Sequence, residues 1–268
     1  MKDKVIIITG GSSGIGKALA EEFGKKGAKI LITGRTASAL DDTVNQLSAK
    51  GIEINSIIAD VSLEEDNKRM ADEAVRLYGK IDVLINNAGI TMRALFEEVD
   101  IKVIRKTMDI NFFGPLYASK YCLPEIIKTK GSIIGISSIA GYRGLPGRTG
   151  YSASKFALQG FLEVLRSEMH KKGVHVLTAC PGFTNTNIRK KSLLKDGSLQ
   201  GDTPRDEHSM MSAEEVAQHI YKATVKRKKI LILTTQGKVT VLLNKWFPGW
   251  MDKVVYNQLA KEANSPFK

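Results

Sequence analysis

A doubly wound α/β fold, with one parallel sheet and helices on both faces, is the architecture this sequence predicts. Short β-branched runs alternate with segments of helical periodicity from residue 4 to about residue 234, the pattern of successive β-α units. The runs are apolar at consecutive positions, so their strands are expected to be buried on both faces. A glycine-rich turn joins the first run directly to the first helical segment. The chain has 268 residues, 43% of them hydrophobic and 25% charged, within the range of a single globular core. Residues 1–235 are expected to form the sheet domain and residues 236–268 a basic amphipathic extension.

Lys4 to Ile8 reads as the first buried strand. It runs into Thr9-Gly10-Gly11-Ser12-Ser13-Gly14-Ile15-Gly16, and a helix follows from Lys17. Strand, glycine turn and helix bring backbone N–H groups and a helix N-terminus to one place, the arrangement that holds a pyrophosphate. Glycines are needed there because any Cβ would hold the backbone away from the phosphates. The second strand, Lys29 to Thr33, ends in Gly34-Arg35 with no carboxylate. An acid there would repel a ribose 2′-phosphate, whereas an arginine pairs with one, so NADP(H) is favoured over NAD(H). Arg35 facing only solvent is the plainer alternative.

Helical spacing over 37–50 leads to a strand at 52–59 that ends in Asp60-Val61, and a helix over 64–78 closes at Gly79. The next strand, Ile81 to Ile85, enters Asn86-Asn87-Ala88-Gly89, a small turn at a strand end, where open parallel sheets bind their ligands. From about Asp100 a helix carries Ile101, Ile104, Met108, Phe112 and Pro115 on an apolar stripe that also includes Asn111. Pro115 cannot donate to the carbonyl four residues earlier, which predicts a kink and a freed Asn111 carbonyl able to hold a water. An asparagine satisfied by a core neighbour explains the same residue. A strand over 131–136 ends in Ser137-Ser138, and a strand over 174–179 ends in Cys180-Pro181-Gly182.

Tyr151 and Lys155 stand at i and i+4 at the start of a long helical pattern, so their side chains lie one above the other. A nearby ammonium favours a phenolate, which marks the pair as a phenol tuned for proton transfer. A surface tyrosine resting on a lysine stem is the alternative for the pair in isolation. Ser138 is one loop away and able to bond the same substrate oxygen.

Two cysteines, Cys122 and Cys180, make no disulfide framework, and a reducing compartment is expected. No run is long and apolar enough for a signal segment or a membrane span. The net charge of +12 sits mainly in residues 222–268, where ten Lys/Arg face Asp252 and Glu262. No nucleic-acid recognition motif accompanies that charge. His170, His175, His208 and His219 lack ligand spacing, and no metal is expected.

Gly10/Gly14/Gly16, Asn86-Asn87-Ala88-Gly89, Asn111, Ser138, Tyr151-Ser152-Ala153-Ser154-Lys155 and Pro181-Gly182 occur together and in that order. The set resembles the classical short-chain dehydrogenase/reductase family, whose fold is a Rossmann-type sheet. The resemblance implies catalytic roles for Asn111, Ser138, Tyr151 and Lys155, with Tyr151 as general acid/base, Lys155 also on the nicotinamide ribose and Asn111 holding a relay water. It implies cofactor contacts from Gly10, Ser12, Ser13, Gly14, Ile15 and Gly16, and from Asp60, Val61, Asn87, Ala88 and Gly89. Pro181, Gly182 and Thr186 would meet the nicotinamide. The implied reaction moves hydride between NADP(H) and a carbonyl or secondary alcohol. The sequence around Tyr151 and Lys245-Trp246-Phe247-Pro248-Gly249-Trp250 is similar to dehydrogenase/reductase member 7 and its 11β-hydroxysteroid dehydrogenase relatives. Several of those carry an N-terminal membrane anchor, which this sequence is expected to lack.

Residues 183–212, with Gly197, Gly201 and Pro204, are expected to form a substrate loop. In the extension, Trp246, Phe247 and Trp250 are flanked by lysines. That pattern suits either peripheral contact with an anionic membrane through 238–261 or a helical flap over the pocket or a second subunit. A cytoplasmic homodimer or homotetramer is expected, because the helices after Asp100 and Tyr151 are apolar on more than one face. A non-catalytic dinucleotide sensor, or a membrane-surface protein on the same fold, is the competing reading.

Overall fold

The computed structural model describes all residues except 204–209, 263–264 and 268. Pro204 of the expected substrate loop and His208 lie outside the described residues. Seven parallel strands form the sheet: β1 (Val5–Thr9), β2 (Lys29–Gly34), β3 (Ile54–Ile58), β4 (Val83–Asn86), β5 (Ser132–Ile136), β6 (His175–Cys180) and β7 (Ile230–Ile232). Their spatial order is β3-β2-β1-β4-β5-β6-β7. The chain therefore builds outward from β1 in one direction, returns, and builds outward from β4 in the other. The crevice between β1 and β4 is the switch point where open sheets bind ligands.

Side chains alternate across each strand, so β1 divides its isoleucines between two layers. Ile6 and Ile8 pack with Leu19 and Phe23 of α1 (Gly14–Gly24) and with Ala217 and Ile220 of α7 (Ala213–Val225). Ile7 packs on the opposite face with Met70 of α3 (Glu64–Tyr78), Cys122 of α5 (Gly114–Lys128) and Leu162 of α6 (Thr149–Glu168). The consecutive β-branched runs are thus buried from both sides. α2 (Ala37–Ser48) adds Leu40 and Leu47 to the first layer. α3 stops at Gly79 in the left-handed region (φ +77°), where glycine has no Cβ penalty.

Several element boundaries differ from expectation for local reasons. α1 begins at Gly14, not Lys17, so two of the glycines of the turn belong to the first helical turn. The helix after Asp100 changes type just before Pro115. α4 (Ile101–Met108) passes into a π-helical segment, Asp109–Phe113, and the N–H of Gly114 donates to Asp109 O. Pro115 then falls at the start of α5, where a missing N–H costs nothing. The register change accompanies the proline, and Asn111 within it is fully buried. The extension is two helices, α8 (Thr235–Trp246) and α9 (Pro248–Ala260), separated at Phe247 with Pro248 at the α9 N-terminus. No described helix is long and apolar enough to cross a membrane.

At the opposite end of the sheet from the crevice, Asp82 is 2% exposed. Its carboxylate accepts from Lys4 Nζ (2.7 Å) and the Val5 N–H (3.0 Å) and lies 3.1 Å from Lys80 Nζ. Burial alone would raise its pKa, but these bonds together hold the group below the ordinary carboxylate value. A depressed folded pKa stabilises the protein above the unfolded value of about 4 and loses that stabilisation as pH falls through the folded one. Asp82→Asn is expected to cost about 1–3 kcal/mol in urea unfolding at pH 7, with the difference from the parent shrinking as the pH is lowered below about 4.

Candidate active site

A cavity of about 850 Å³ follows the C-terminal ends of the strands. Gly10, Ser12, Ser13, Gly14 and Ile15 line it from the turn after β1, and Arg35 lines it after β2. Asp60 and Val61 reach it after β3, and Asn87, Ala88 and Gly89 after β4. Ser138 follows β5, Tyr151 and Lys155 come from α6, and Pro181, Gly182 and Thr186 follow β6. Two expected site residues, Gly16 and Asn111, do not line the cavity; they support it from behind.

Gly10 (φ +64°) and Gly14 (φ +51°) occupy the left-handed region and hold the turn tight. A Cβ on Gly16 would stand 2.2 Å from Gly10 O and 2.5 Å from Asn87 Nδ2. Asn87 Nδ2 itself donates to Thr9 O (2.9 Å) and Gly10 O (3.2 Å). Thr9 Oγ1 accepts from the N–H groups of Asn87 and Ala88, both at 3.0 Å. The ends of β1 and β4 are thereby fastened to each other. Ser13, at the N-cap of α1, makes no side-chain cap, so the first-turn N–H groups of the helix remain available to a ligand at the cavity floor. These N–H groups and the glycine floor fit a dinucleotide pyrophosphate. Arg35 lies at the rim, exposed, with Nη1 3.9 Å from Asp60 Oδ2.

Asn111 is fully buried and its side chain is spent on protein. Oδ1 accepts from the Ile90 N–H (2.9 Å), while Nδ2 donates to Ile90 O (2.9 Å) and Ser154 Oγ (3.0 Å). An ideal Cβ on Gly89 would lie 3.2 Å from Asn111 Oδ1 and 3.6 Å from Lys155 Nζ, so the bare glycine lets both groups approach the β4 loop. Lys155 Nζ donates to Ile136 O at 2.9 Å and stands 5.7 Å from the centroid of the Tyr151 ring.

Two cations stand near the phenol, one of them at the i, i+4 position. Burial pushes Tyr151 above its ordinary pKa, and the Ser138 side-chain hydrogen bond and the Arg148 guanidinium act in the opposite sense. Burial pushes Lys155 down to about 8. The helical spacing brings the Lys155 ammonium close to the ring, where it also donates to the carbonyl at the end of β5, and Arg148 is a second cation beside the phenol. Sequence spacing gave no sign of Arg148, which precedes α6 in an irregular loop. Leu243 on α8 and Met251, Val255 and Leu259 on α9 wall the cavity, which is where the flap reading of the extension puts its apolar residues. For α9 the i, i+4, i+8 repeat carries the signal. Among the described residues no cluster of His, Cys, Asp or Glu could hold a metal, and His175 is committed to Ser132 Oγ (3.1 Å) and Lys228 O (2.8 Å).

The family model described as short chain dehydrogenase matches residues 4–196. The chain belongs to the short-chain dehydrogenase family. It is 34% identical to dehydrogenase/reductase SDR family member 7B of Mus musculus over 99% of this chain and 84% of that protein. It is also 34% identical to 11-beta-hydroxysteroid dehydrogenase A of Arachis hypogaea over 94% of this chain and 75% of that protein. A short chain dehydrogenase/reductase from Burkholderia phymatum, solved in complex with NAD, superposes with a TM-score of 0.84 at 25% identity, covering 93% of this chain and 95% of the other. The chain is thus a member of an oxidoreductase family whose reactions transfer hydride with a nicotinamide dinucleotide.

Gly16→Ala is expected to force the glycine turn open, lowering stability by about 1–3 kcal/mol in chemical unfolding and weakening dinucleotide binding at least about tenfold by fluorescence titration.

Proposed function

We propose that this protein is an NADP(H)-dependent oxidoreductase that interconverts a carbonyl and a secondary alcohol, with Tyr151 as general acid/base. The observation that carries this reading is the convergence of Tyr151, Ser138 and Lys155 on one cavity whose floor is a bare helix N-terminus. When bound, the dinucleotide supplies or accepts the hydride. Tyr151 gives its proton to the substrate oxygen in reduction and takes it back in oxidation. Burial keeps the phenol protonated at neutral pH, the form that reduction requires. Ser138 orients the substrate oxygen and favours the phenolate as it forms. Lys155 bonds the nicotinamide ribose and stabilises the phenolate electrostatically. Asn111 holds the β4 loop at Ile90 and, through its backbone in the π-helical segment, a relay water. Arg35, a cationic group at the cavity rim just after β2, pairs with a 2′-phosphate.

The substrate half is apolar where Leu145, Leu243, Met251, Val255 and Leu259 face it, which suits a large apolar carbonyl compound. Residues 183–212 supply the facing wall through Phe183, Ile188, Leu193 and Leu199. Exposed Ile101, Phe156 and Val164 on α4 and α6 suit a homodimer or homotetramer. The outer face of the extension leaves Leu242 58%, Trp246 66% and Phe247 59% exposed beside Lys245. That face suits peripheral contact with an anionic membrane by a protein that is otherwise cytoplasmic.

Purified protein is expected to oxidise NADPH, followed by its absorbance, in the presence of bulky apolar ketones. Tyr151→Phe should lower kcat about 100-fold or more with dinucleotide affinity unchanged, and Arg35→Ala should reduce the preference for NADPH over NADH about tenfold. Because Lys155 is held near 8, kcat/KM for reduction should decline above that pH as the ammonium is lost, and Lys155→Met should abolish that limb. Dinucleotide binding with no turnover across the panel would favour the sensor reading. On phosphatidylserine vesicles the protein should co-sediment, and Leu242→Ser with Trp246→Ser should weaken binding about tenfold, with little binding of either form to phosphatidylcholine.

A further inference from the structure

The C-terminal extension meets the rest of the chain near the start of α9, where Arg143 pairs with Asp252 and bonds Asn244 of α8, along the apolar face of α9, and just past its end. Met251, Val255 and Leu259, one turn apart along α9, are buried against Leu145 in the loop before α6. Just past α9, the carboxylate of Glu262 sits between two arginines, with Oε2 3.5 Å from Arg93 Nη2 and 3.8 Å from Arg148 Nη2. The Arg93 and Glu262 side chains are each 7% exposed and that of Arg148 15%. Charges this enclosed interact far more strongly than a surface pair, and losing one of them is costly.

Both arginines belong to the frame of the active site. Arg93 follows β4, and its backbone N–H donates to Leu193 O at 2.8 Å, in the loop that walls the substrate half. Arg148 immediately precedes α6, and its Nη1 donates to Met92 O at 3.0 Å. The Ala94 N–H donates to Gly147 O at 3.0 Å, so the two arginine-bearing segments are themselves joined. Glu262, Arg148 and Leu145 all line the cavity. A residue near the chain's end thus touches the segment that opens the catalytic helix.

We propose that Glu262 is a positioning residue that, by bridging Arg93 and Arg148, holds α9 closed over the substrate half of the cavity and so sets the affinity for large carbonyl substrates. Apolar burial is non-directional and the Arg143–Asp252 pair, with Asp252 largely exposed, ties only the start of α9, so without a second anchor the C-terminal half of the helix is free to shift on Leu145. The ion cluster fixes one end of the helix at a defined point. Its kinetic consequence rests on the reductase reading above; its effect on α9 does not.

The test uses the full-length protein as the parent, Glu262→Gln, which keeps shape and removes charge, and Glu262→Asp, which keeps charge. Hydrogen exchange across 248–260 is expected to accelerate about tenfold in Glu262→Gln, with the amides of β1 and β4 unchanged and Glu262→Asp closer to the parent. With NADPH, Glu262→Gln should raise KM for a bulky apolar ketone about tenfold, a distinctly larger factor than the rise for a small ketone. Unchanged exchange across 248–260 overturns the proposal. So does loss of protection that extends to β1 and β4, or an equal rise in KM for small and large ketones. A parent protein that reduces no carbonyl defeats the reductase reading instead, and the exchange measurement then still decides the role of Glu262.

Discussion

Everything at the cavity depends on how closely the start of α1 approaches the ends of β1 and β4. The space between Gly16, Gly10 O and Asn87 Nδ2 is too small for a methyl group. Into that space the chain brings a helix N-terminus, two strand ends and an amide that ties them together. The closeness is what exposes first-turn N–H groups to the cavity while keeping the sheet intact beneath them. A methyl group there would separate helix from sheet and remove the anion-binding floor with it.

Behind that floor lies a chain of buried polar groups, each satisfied by backbone. Asn111 bonds both backbone groups of Ile90, and Ser154 links Asn111 to α6 by also donating to Tyr151 O at 2.7 Å. Lys155 ends on Ile136 O. Buried polar groups are expensive unless paired, and a fully paired network fixes a unique arrangement. The network locks α6 to the loops after β4 and β5, so Tyr151 is delivered to the cavity by a rigid support. Its protonation is then governed by burial, the Ser138 bond and the Arg148 charge acting against one another.

The extension serves two surfaces at once. One side of α9 buries Met251, Val255 and Leu259 at the cavity, while Trp246 and Phe247 at the junction with α8 remain in solvent. The alternatives of flap and membrane face are therefore not exclusive in geometry, since the break at Pro248 turns different faces of two short helices in different directions. A single continuous helix would have had to choose.

Much of the fold was legible because its strongest signals are local. Consecutive β-branched residues dictate strands buried on both faces, glycine at positive φ dictates the turn, and Gly79 ends its helix by the same steric rule. The site residues that line the strand ends were legible too, since a parallel sheet places every such end on one edge. What only the tertiary structure decided were relations between segments distant in the chain. Pro115 follows a π-helical register shift in which Asn111, like Gly114 just after it, is buried in the core, a change of helix type that the proline alone does not announce. Lys155 was turned toward Ile136 O because a buried ammonium takes the nearest buried acceptor, which no helical spacing encodes. The meeting of Glu262 with Arg93 and Arg148 joins residues more than a hundred positions apart, and the sequence by itself records only that each is charged.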